Sequence, residues 1–313
     1  MSTNILLTGA SGFIGNAFVN KLINQNNRGL TNFKIFYLRR PNRKVNIAGA
    51  EPIDLENNSQ DSFNKALCNN NFDYVYNFAS YGVKRSDNDI TEYIDGNITF
   101  LARLIRGFLQ PPKLFINIGS CAEYGFIKNG VKVNEEDSIR PNSLYAASKA
   151  AALDFGVNVA KDKDIPFIHL RLFGVYGEGE YSKRLLPDIY KNLSQNNKVK
   201  LTSGTQIRDW IYIDDVIEAL YCVLNINISD ITKDLIYNIC SGEGSSVKEV
   251  VSILCNELDA SSDLLGWGEI NRNDEPEWLV GSPKKFQLIS GWKPKVSLED
   301  GIKKSADFFK INH

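Results

Sequence analysis

Tyr145 and Lys149 stand four residues apart in 143–161, a stretch whose apolar spacing predicts a long helix. Side chains four apart on a helix share a face, so a phenol and an ammonium come side by side. An isolated tyrosine, with a pKa of about 10, exchanges protons poorly at neutral pH. A neighbouring cation favours the phenolate and lowers that pKa. The pair can then give a proton to, or take one from, an alcohol or a ketone. Alone, Y-x-x-x-K is a common accident. It gains meaning from Ser120, at the end of an intervening strand, and from a glycine-rich loop upstream.

That loop reads Thr8-Gly9-Ala10-Ser11-Gly12-Phe13-Ile14-Gly15, after an apolar strand and before a helix. Gly9 permits a tight turn, Gly12 lets backbone approach a pyrophosphate, and Gly15 lets the helix pack close to the strand. Ser11, Phe13 and Ile14 complete the turn and the helix N-terminus, whose unpaired N–H groups and positive dipole end suit phosphates. Strand, loop and helix stand in the order a dinucleotide site requires. NAD-binding chains usually end the second strand on an acid that holds the ribose 2′-hydroxyl. Here that strand ends on Arg39-Arg40, and a guanidinium suits a 2′-phosphate. NADP is therefore favoured, with NAD as the other cofactor open. Asp54 and Leu55, after a third strand, are placed to meet the adenine.

Elements must hold these residues in place. Strands are expected at 4–8, 34–38, 73–77, 113–119 and 166–173, and helices at 13–26, 94–108 and 143–161. Alternating strands and helices imply an α/β fold with a doubly wound parallel sheet of Rossmann type. Near-continuous apolar strands such as Ile5-Leu6-Leu7 fit burial on both faces. After residue 174 the rhythm loosens, with helices expected at 214–225, 246–258 and 297–309. Residues 1–174 are expected to form the dinucleotide-binding domain. Residues 175–313 should form a smaller α/β substrate-binding region, partly interleaved with it.

Composition narrows the function. Hydrophobic residues make up 43% and charged ones 23% of 313, which is ordinary globular usage. A net charge of -1 does not suit a chain that coats nucleic acid or an anionic membrane. No apolar run of 18 residues and no signal peptide are seen, so a cytoplasmic protein is expected. Five cysteines without a C-x-x-C pair argue against disulfides and structural zinc, and no metal site is expected. His169 sits in an apolar strand and reads as structural, so no histidine base is expected.

The chain resembles the extended short-chain dehydrogenases/reductases, in the NAD(P)-dependent epimerase/dehydratase family of nucleotide-sugar enzymes. The resemblance covers nearly the whole length. It rests on residues 8–15, Asp54-Leu55, Asn77-Phe78-Ala79, Asn97, 119–125, Tyr145/Lys149, 171–177, Arg208-Asp209-Trp210, Asp214-Asp215, 237–242 and Gly291-Trp292-Lys293-Pro294. It implies that Ser120 bonds the reacting oxygen, that Tyr145 is the acid/base, and that Lys149 holds the nicotinamide ribose and tunes Tyr145. It places Phe78, Ala79, Ser80 and Asn97 along the cofactor, and Leu172 and Phe173 beside the nicotinamide. Arg208 and Arg272 correspond to the two cations that grip a substrate diphosphate, with Arg184 and Lys191 as weaker candidates. It also implies a homodimer through the helices 94–108 and 143–161.

Departures from the family pattern select among its reactions. Sugar 4,6-dehydratases carry an Asp-Glu pair after the catalytic Ser/Thr, where this chain has Cys121 and Ala122, with Glu123 shifted by one. Dehydration is not expected. Gly174 replaces an asparagine that often touches the sugar in 4-epimerases. The Ser-x-Ala-Glu-Tyr-Gly pattern resembles 4-ketoreductases that finish deoxysugars, of the CDP-abequose synthase type. The expected function is NADPH-dependent reduction of the C4 ketone of a nucleotide-activated 4-keto-6-deoxysugar. An NAD-dependent nucleotide-sugar 4-epimerase is the alternative, and a non-catalytic dinucleotide sensor the remote one.

Overall fold

The computed structural model describes residues 2–41, 45–83, 87–271 and 275–312. In chain order it begins β1 (Thr3–Thr8), α1 (Phe13–Asn27), β2 (Phe33–Arg39), β3 (Glu51–Asp54), α2 (Gln60–Leu67), β4 (Tyr74–Asn77) and α3 (Ile90–Tyr93). A π-helical turn (Ile94–Thr99), α4 (Phe100–Arg106), β5 (Leu114–Ser120), a 3-10 turn (Cys121–Tyr124), α5 (Leu144–Asp162) and β6 (Phe167–Leu172) follow. Next come β7 (Gly174–Tyr176), α6 (Leu185–Ser194), β8 (Val199–Lys200), β9 (Ile207–Tyr212), α7 (Ile213–Cys222), α8 (Ile228–Ile231) and β10 (Ile236–Ile239). The chain closes with β11 (Gly244–Ser246), α9 (Val247–Glu257), β12 (Leu265–Gly266), β13 (Trp278–Leu279), α10 (Lys284–Ser290) and α11 (Leu298–Asn312).

The central sheet is seven-stranded and parallel, in the order β10-β6-β5-β4-β1-β2-β3. This is the Rossmann-type arrangement. The chain builds outward from β1 through β2 to β3, then crosses to β4 on the other side of β1. Loops leaving β1 and β4 therefore diverge, and the crevice between them is where such sheets bind ligands. Leu6 lies opposite Phe36 on β2 and Val75 on β4, and all three are buried. Phe63 and Leu67 of α2, Leu101 and Leu104 of α4, and Ala152 and Leu153 of α5 belong to the same buried cluster. Each such leucine or phenylalanine contributes about 1.5–3 kcal/mol by leaving water.

Serine caps fix where several helices start. Ser59, Ser143 and Ser246 accept from the N–H of Ser62, Ala146 and Glu249, at the third residue of α2, α5 and α9. The expected helix at 94–108 differs in detail. It opens earlier as α3, widens to a π-helix over Ile94–Thr99 and ends at Arg106. Gly96 faces the Cβ of Tyr81, where a Cβ of its own would sit 3.0 Å away. Next to it Asn97 turns inward to bond the backbone of Tyr81.

The chain divides into two compact units. The first comprises Met1–Glu123, Ser143–Arg171 and Leu220–Tyr237. The second comprises Tyr124–Asn142, Leu172–Ala219 and Asn238–His313. Within the second, β9 pairs with β11 antiparallel and with β7 and β13 in parallel, and β8 pairs with β12. The buried Asp209 carboxylate ties this sheet to its loops by accepting from the N–H groups of Ser241, Gly242 and Gly281. Among the described residues, no helix is long and apolar enough to cross a membrane.

Candidate functional site

The glycine loop has the form its spacing requires. Gly9 adopts φ +65°, and a Cβ there would lie 2.7 Å from the carbonyl carbon of Phe78 and 2.8 Å from the nitrogen of Ala79. At Gly15 a Cβ would lie 2.4 Å from the carbonyl oxygen of Gly9. The Gly12 N–H donates to that same oxygen at 2.9 Å and closes the turn. Gly12 caps α1 with no side-chain hydrogen bond, and the first turn, with Phe13, Ile14 and Gly15, carries no acid. Ser11 is exposed beside it. The N–H groups of a 15-residue helix thus face outward with no competing anion of their own. This cradle fits a pyrophosphate. Thr8 braces it from behind, donating to Asn77 Oδ1 and accepting from the N–H of Ala79.

At the edge of the sheet, Arg39 and Asp54 end the neighbouring strands β2 and β3 in register. Arg39 Nε and Nη2 donate to the two oxygens of Asp54 at 2.5 and 2.6 Å, and Nη1 donates to Asn46 at 2.9 Å. The guanidinium holds the Asp54 carboxyl below its ordinary range. Expected to meet a 2′-phosphate and the adenine separately, the two residues are paired with each other. Arg40 lies over the ring of Phe100 at 5.3 Å, and Leu55 is buried with its N–H on the carbonyl of Arg39.

Asn97 uses its whole amide on the chain itself. Its oxygen accepts from the Tyr81 N–H and the Ser80 hydroxyl, and its NH2 donates to the Tyr81 carbonyl and to Ser148. It thereby fixes the segment after β4 against α5. Any influence of Asn97 on a cofactor passes through that segment. Gly82, in the same segment with φ +91°, leaves room for the rings of Tyr93 and Tyr145, whose Cε1 and Cδ2 would be 2.2 and 3.0 Å from a Cβ there.

Tyr145, half-buried, and Lys149, fully buried, occupy successive turns of α5, as their spacing requires. Lys149 Nζ donates to the carbonyl of Ile118 at 2.5 Å, two residues before Ser120 on β5. Burial pulls its pKa down to about 8, partly opposed by the charge of Glu123. The Ser120 hydroxyl oxygen accepts from the Ala122 N–H at 3.2 Å, which leaves the hydroxyl hydrogen as that group's donor. Ser143, two residues before Tyr145, caps α5. Ser143→Ala is expected to cost about 1 kcal/mol of stability, read as a lower urea midpoint at unchanged slope.

A buried polar cluster beside Ser120 escaped the sequence reading. Glu123 accepts from the Ser120 N–H and meets His169 and Arg171 of β6, and all three side chains are buried. Burial pushes the Glu123 carboxyl up, but His169 and then Arg171 outweigh it and hold it at about 2. The available signal was two polar residues at i and i+2 on one face of an apolar strand. Glu123 is thus engaged inside the protein, with Ser120, His169 and Arg171.

A family model described as the NAD dependent epimerase/dehydratase family matches residues 5–240. The chain belongs to this family. Over 98% of both chains, this family member is 26% identical to the low-salt glycan biosynthesis protein Agl12 of Haloferax volcanii. It is 27% identical to the CDP-abequose synthase of Salmonella muenchen over 97% of each. Among solved structures, the UDP-glucuronic acid 4-epimerase of Bacillus cereus, in complex with UDP-glucuronic acid and NAD, superposes with a TM-score of 0.83. That match has 24% identity and covers 99% of this chain and all (100%) of the other.

The other expected contacts of this family member lie largely in the second unit. Leu172 ends β6 and is buried; the N–H of Phe173 donates to the carbonyl of Ile239. Arg208, on β9, forms an ion pair with Glu275 at 3.5 Å. Arg184 pairs with Glu180 one turn away, and Lys191 lies in the last turn of α6. Arg272 lies outside the described residues. Among the described residues, no cluster of His, Cys, Asp and Glu could hold a metal ion.

Proposed function

We propose that the chain reduces the C4 ketone of a nucleotide-activated 4-keto-6-deoxysugar with NADPH. The observation that carries this reading is the common mounting of Ser120, Tyr145 and Lys149 in the first unit. Lys149 is anchored to β5 two residues before Ser120, and Tyr145 sits one turn earlier on α5. When bound, the dinucleotide supplies the hydride; the chain supplies orientation and electrostatics. The Ser120 hydroxyl polarises the C4 carbonyl, Tyr145 gives its proton to that oxygen, and Lys149 keeps the phenol poised. Arg208 and Arg272 grip the diphosphate. Full engagement of Glu123 with Ser120, His169 and Arg171 supports reduction over dehydration. A relative named CDP-abequose synthase supports a deoxysugar substrate.

Arg39 and Arg40, with no acid ending β2, support a 2′-phosphate. Arg39→Ala is expected to weaken NADPH roughly tenfold to a hundredfold, the worth of a charge-assisted pair, while barely changing NADH. Fluorescence titration of both dinucleotides checks this, and an equal effect on both contradicts it. The Arg39–Asp54 pair favours a second reading. With the guanidinium already on a carboxylate, NAD is the simpler guest, and a 4-epimerase retaining NAD follows. The two readings separate by oxidation of added NADPH against UDP-, dTDP- and CDP-linked 4-keto-6-deoxyglucose, alongside assay of any dinucleotide carried through purification.

We place the protein in the cytoplasm as a homodimer. Ile94, Leu144 and Phe155, about half exposed on the π-turn and α5, support contact through those helices.

A further inference from the structure

We propose that Glu123 is a positioning residue, whose buried carboxylate fixes Ser120 through its backbone N–H and balances the ammonium of Lys149. This rests on the assignment of Ser120, Tyr145 and Lys149 as the reacting groups.

Glu123 has no exposed surface. Oε1 accepts from the Ser120 N–H at 2.8 Å and lies 3.0 Å from His169 Nε2, and Oε2 accepts from Arg171 Nε at 2.8 Å. The residue before Ser120 must be glycine, because a Cβ at Gly119 would sit 2.1 Å from His169 Nε2 and 2.7 Å from Oε1. A buried ion pair of this kind adds little net stability compared with apolar packing. Its yield is geometric: Ser120 is held at its own backbone nitrogen.

The carboxylate also ends a row of hydrogen bonds that crosses four adjacent strands. The Ala79 N–H donates to Thr8 of β1, Thr8 to Asn77 of β4, and Asn77 to Asn117 of β5. Asn117 Nδ2 meets His169 Nδ1 of β6 at 3.0 Å. As a donor, Asn117 selects the imidazole tautomer with its proton on Nε2, aimed at Glu123. The strand that carries the phosphate cradle and the turn that carries Glu123, next to Ser120, are thus joined by one polar row.

Lys149 is buried, with Tyr145 one turn earlier on its own helix; its Nζ is held on the Ile118 carbonyl of β5, two residues before the Ser120 N–H that holds Glu123, and the Glu123 carboxylate is the anion acting on it. Glu123 in turn faces His169 and Arg171 from β6. Without the Glu123 charge, burial of Lys149 is unopposed and its ammonium is lost at lower pH.

Glu123→Gln in the full chain tests this, because the amide oxygen still accepts from Ser120 while the charge is gone. The affinity for NADPH and for NADH, and kcat where a 4-keto-6-deoxyglucose nucleotide turns over, are followed from about pH 6 to 10. The midpoint above which affinity falls is expected to move to lower pH by roughly one unit. A midpoint at the wild-type pH, or moved upward, overturns the proposal. If the glutamine variant does not fold, Glu123→Asp is read instead. It keeps the charge but shortens the reach to Ser120. Its midpoint should stay in place while kcat falls roughly tenfold or more at constant KM, and a wild-type kcat overturns the proposal. An active Tyr145→Phe variant would show that the underlying assignment has failed. An inactive one, together with an unmoved Glu123→Gln midpoint, isolates the failure to Glu123.

Discussion

Tyr145→Phe is expected to leave a folded protein that binds its dinucleotide normally and turns over roughly a hundredfold to ten-thousandfold more slowly. The substitution removes one oxygen. The ring that packs against Gly82 stays, as do the Ser143 cap and the seat of Lys149 on the Ile118 carbonyl. What is lost is the phenol proton that α5 presents one turn before Lys149. A phenyl ring cannot supply it, so the loss should fall on kcat and leave KM and dinucleotide affinity nearly unchanged. Steady-state kinetics, a binding titration and a thermal melt on one preparation check all three. Near wild-type kcat would remove Tyr145 from the chemistry.

Gly9→Ala should have the largest structural effect. Two penalties coincide at this residue. Its φ of +65° costs a non-glycine residue about 1–2 kcal/mol. The new methyl also meets backbone atoms of Phe78 and Ala79 at 2.7 and 2.8 Å, and backbone cannot rotate away as a side chain can. Overpacking of this kind costs about 1–3 kcal/mol more. Together these should lower Tm by roughly 5–15 °C and weaken dinucleotide binding by more than about tenfold, since the carbonyl that closes the phosphate turn must shift. Gly29→Ala is the control. Gly29 has φ +68° with nothing within 4 Å of the added methyl, so only the smaller backbone penalty applies. Differential scanning fluorimetry with and without dinucleotide reads both variants, and equal shifts would show that the Phe78–Ala79 approach carries no weight.

The parts of this protein that were legible in its sequence are those governed by local rules. The loop 8–15, the alternation of β1, α1 and β2, and the spacing of Tyr145 and Lys149 depend on neighbours in the chain. The parts that were not legible depend on contacts distant in sequence. Glu123 read as a displaced dehydratase acid because its partners lie more than forty residues away on β6. The Arg39–Asp54 pair was hidden because Asp54 reaches Arg39 only once β2 and β3 pair. Helix α6 is a different case. Leu186, Ile189, Tyr190 and Leu193 are buried at helical spacing, so the signal was present. Pro187 is no obstacle to it, because proline is tolerated in a first turn. The π-turn at Ile94–Thr99 has no local signature. Within it Asn97 turns in to reach Tyr81 and Ser148, contacts distant in sequence.

The central claim is that a hydride from external NADPH reaches C4 of a nucleotide-linked sugar while Tyr145 protonates its oxygen. Deuterium transfer tests it most directly: NADPH carrying deuterium at the transferable position of C4 is supplied with CDP-, dTDP- and UDP-linked 4-keto-6-deoxyglucose, and the products are read by mass spectrometry and proton NMR. The account predicts one deuterium at the sugar C4, gained at least about a hundredfold more slowly when the protein carries Tyr145→Phe. No deuterium in the sugar and no consumption of NADPH, with UDP-glucose instead converted to its C4 epimer by protein that already carries NAD, would contradict it.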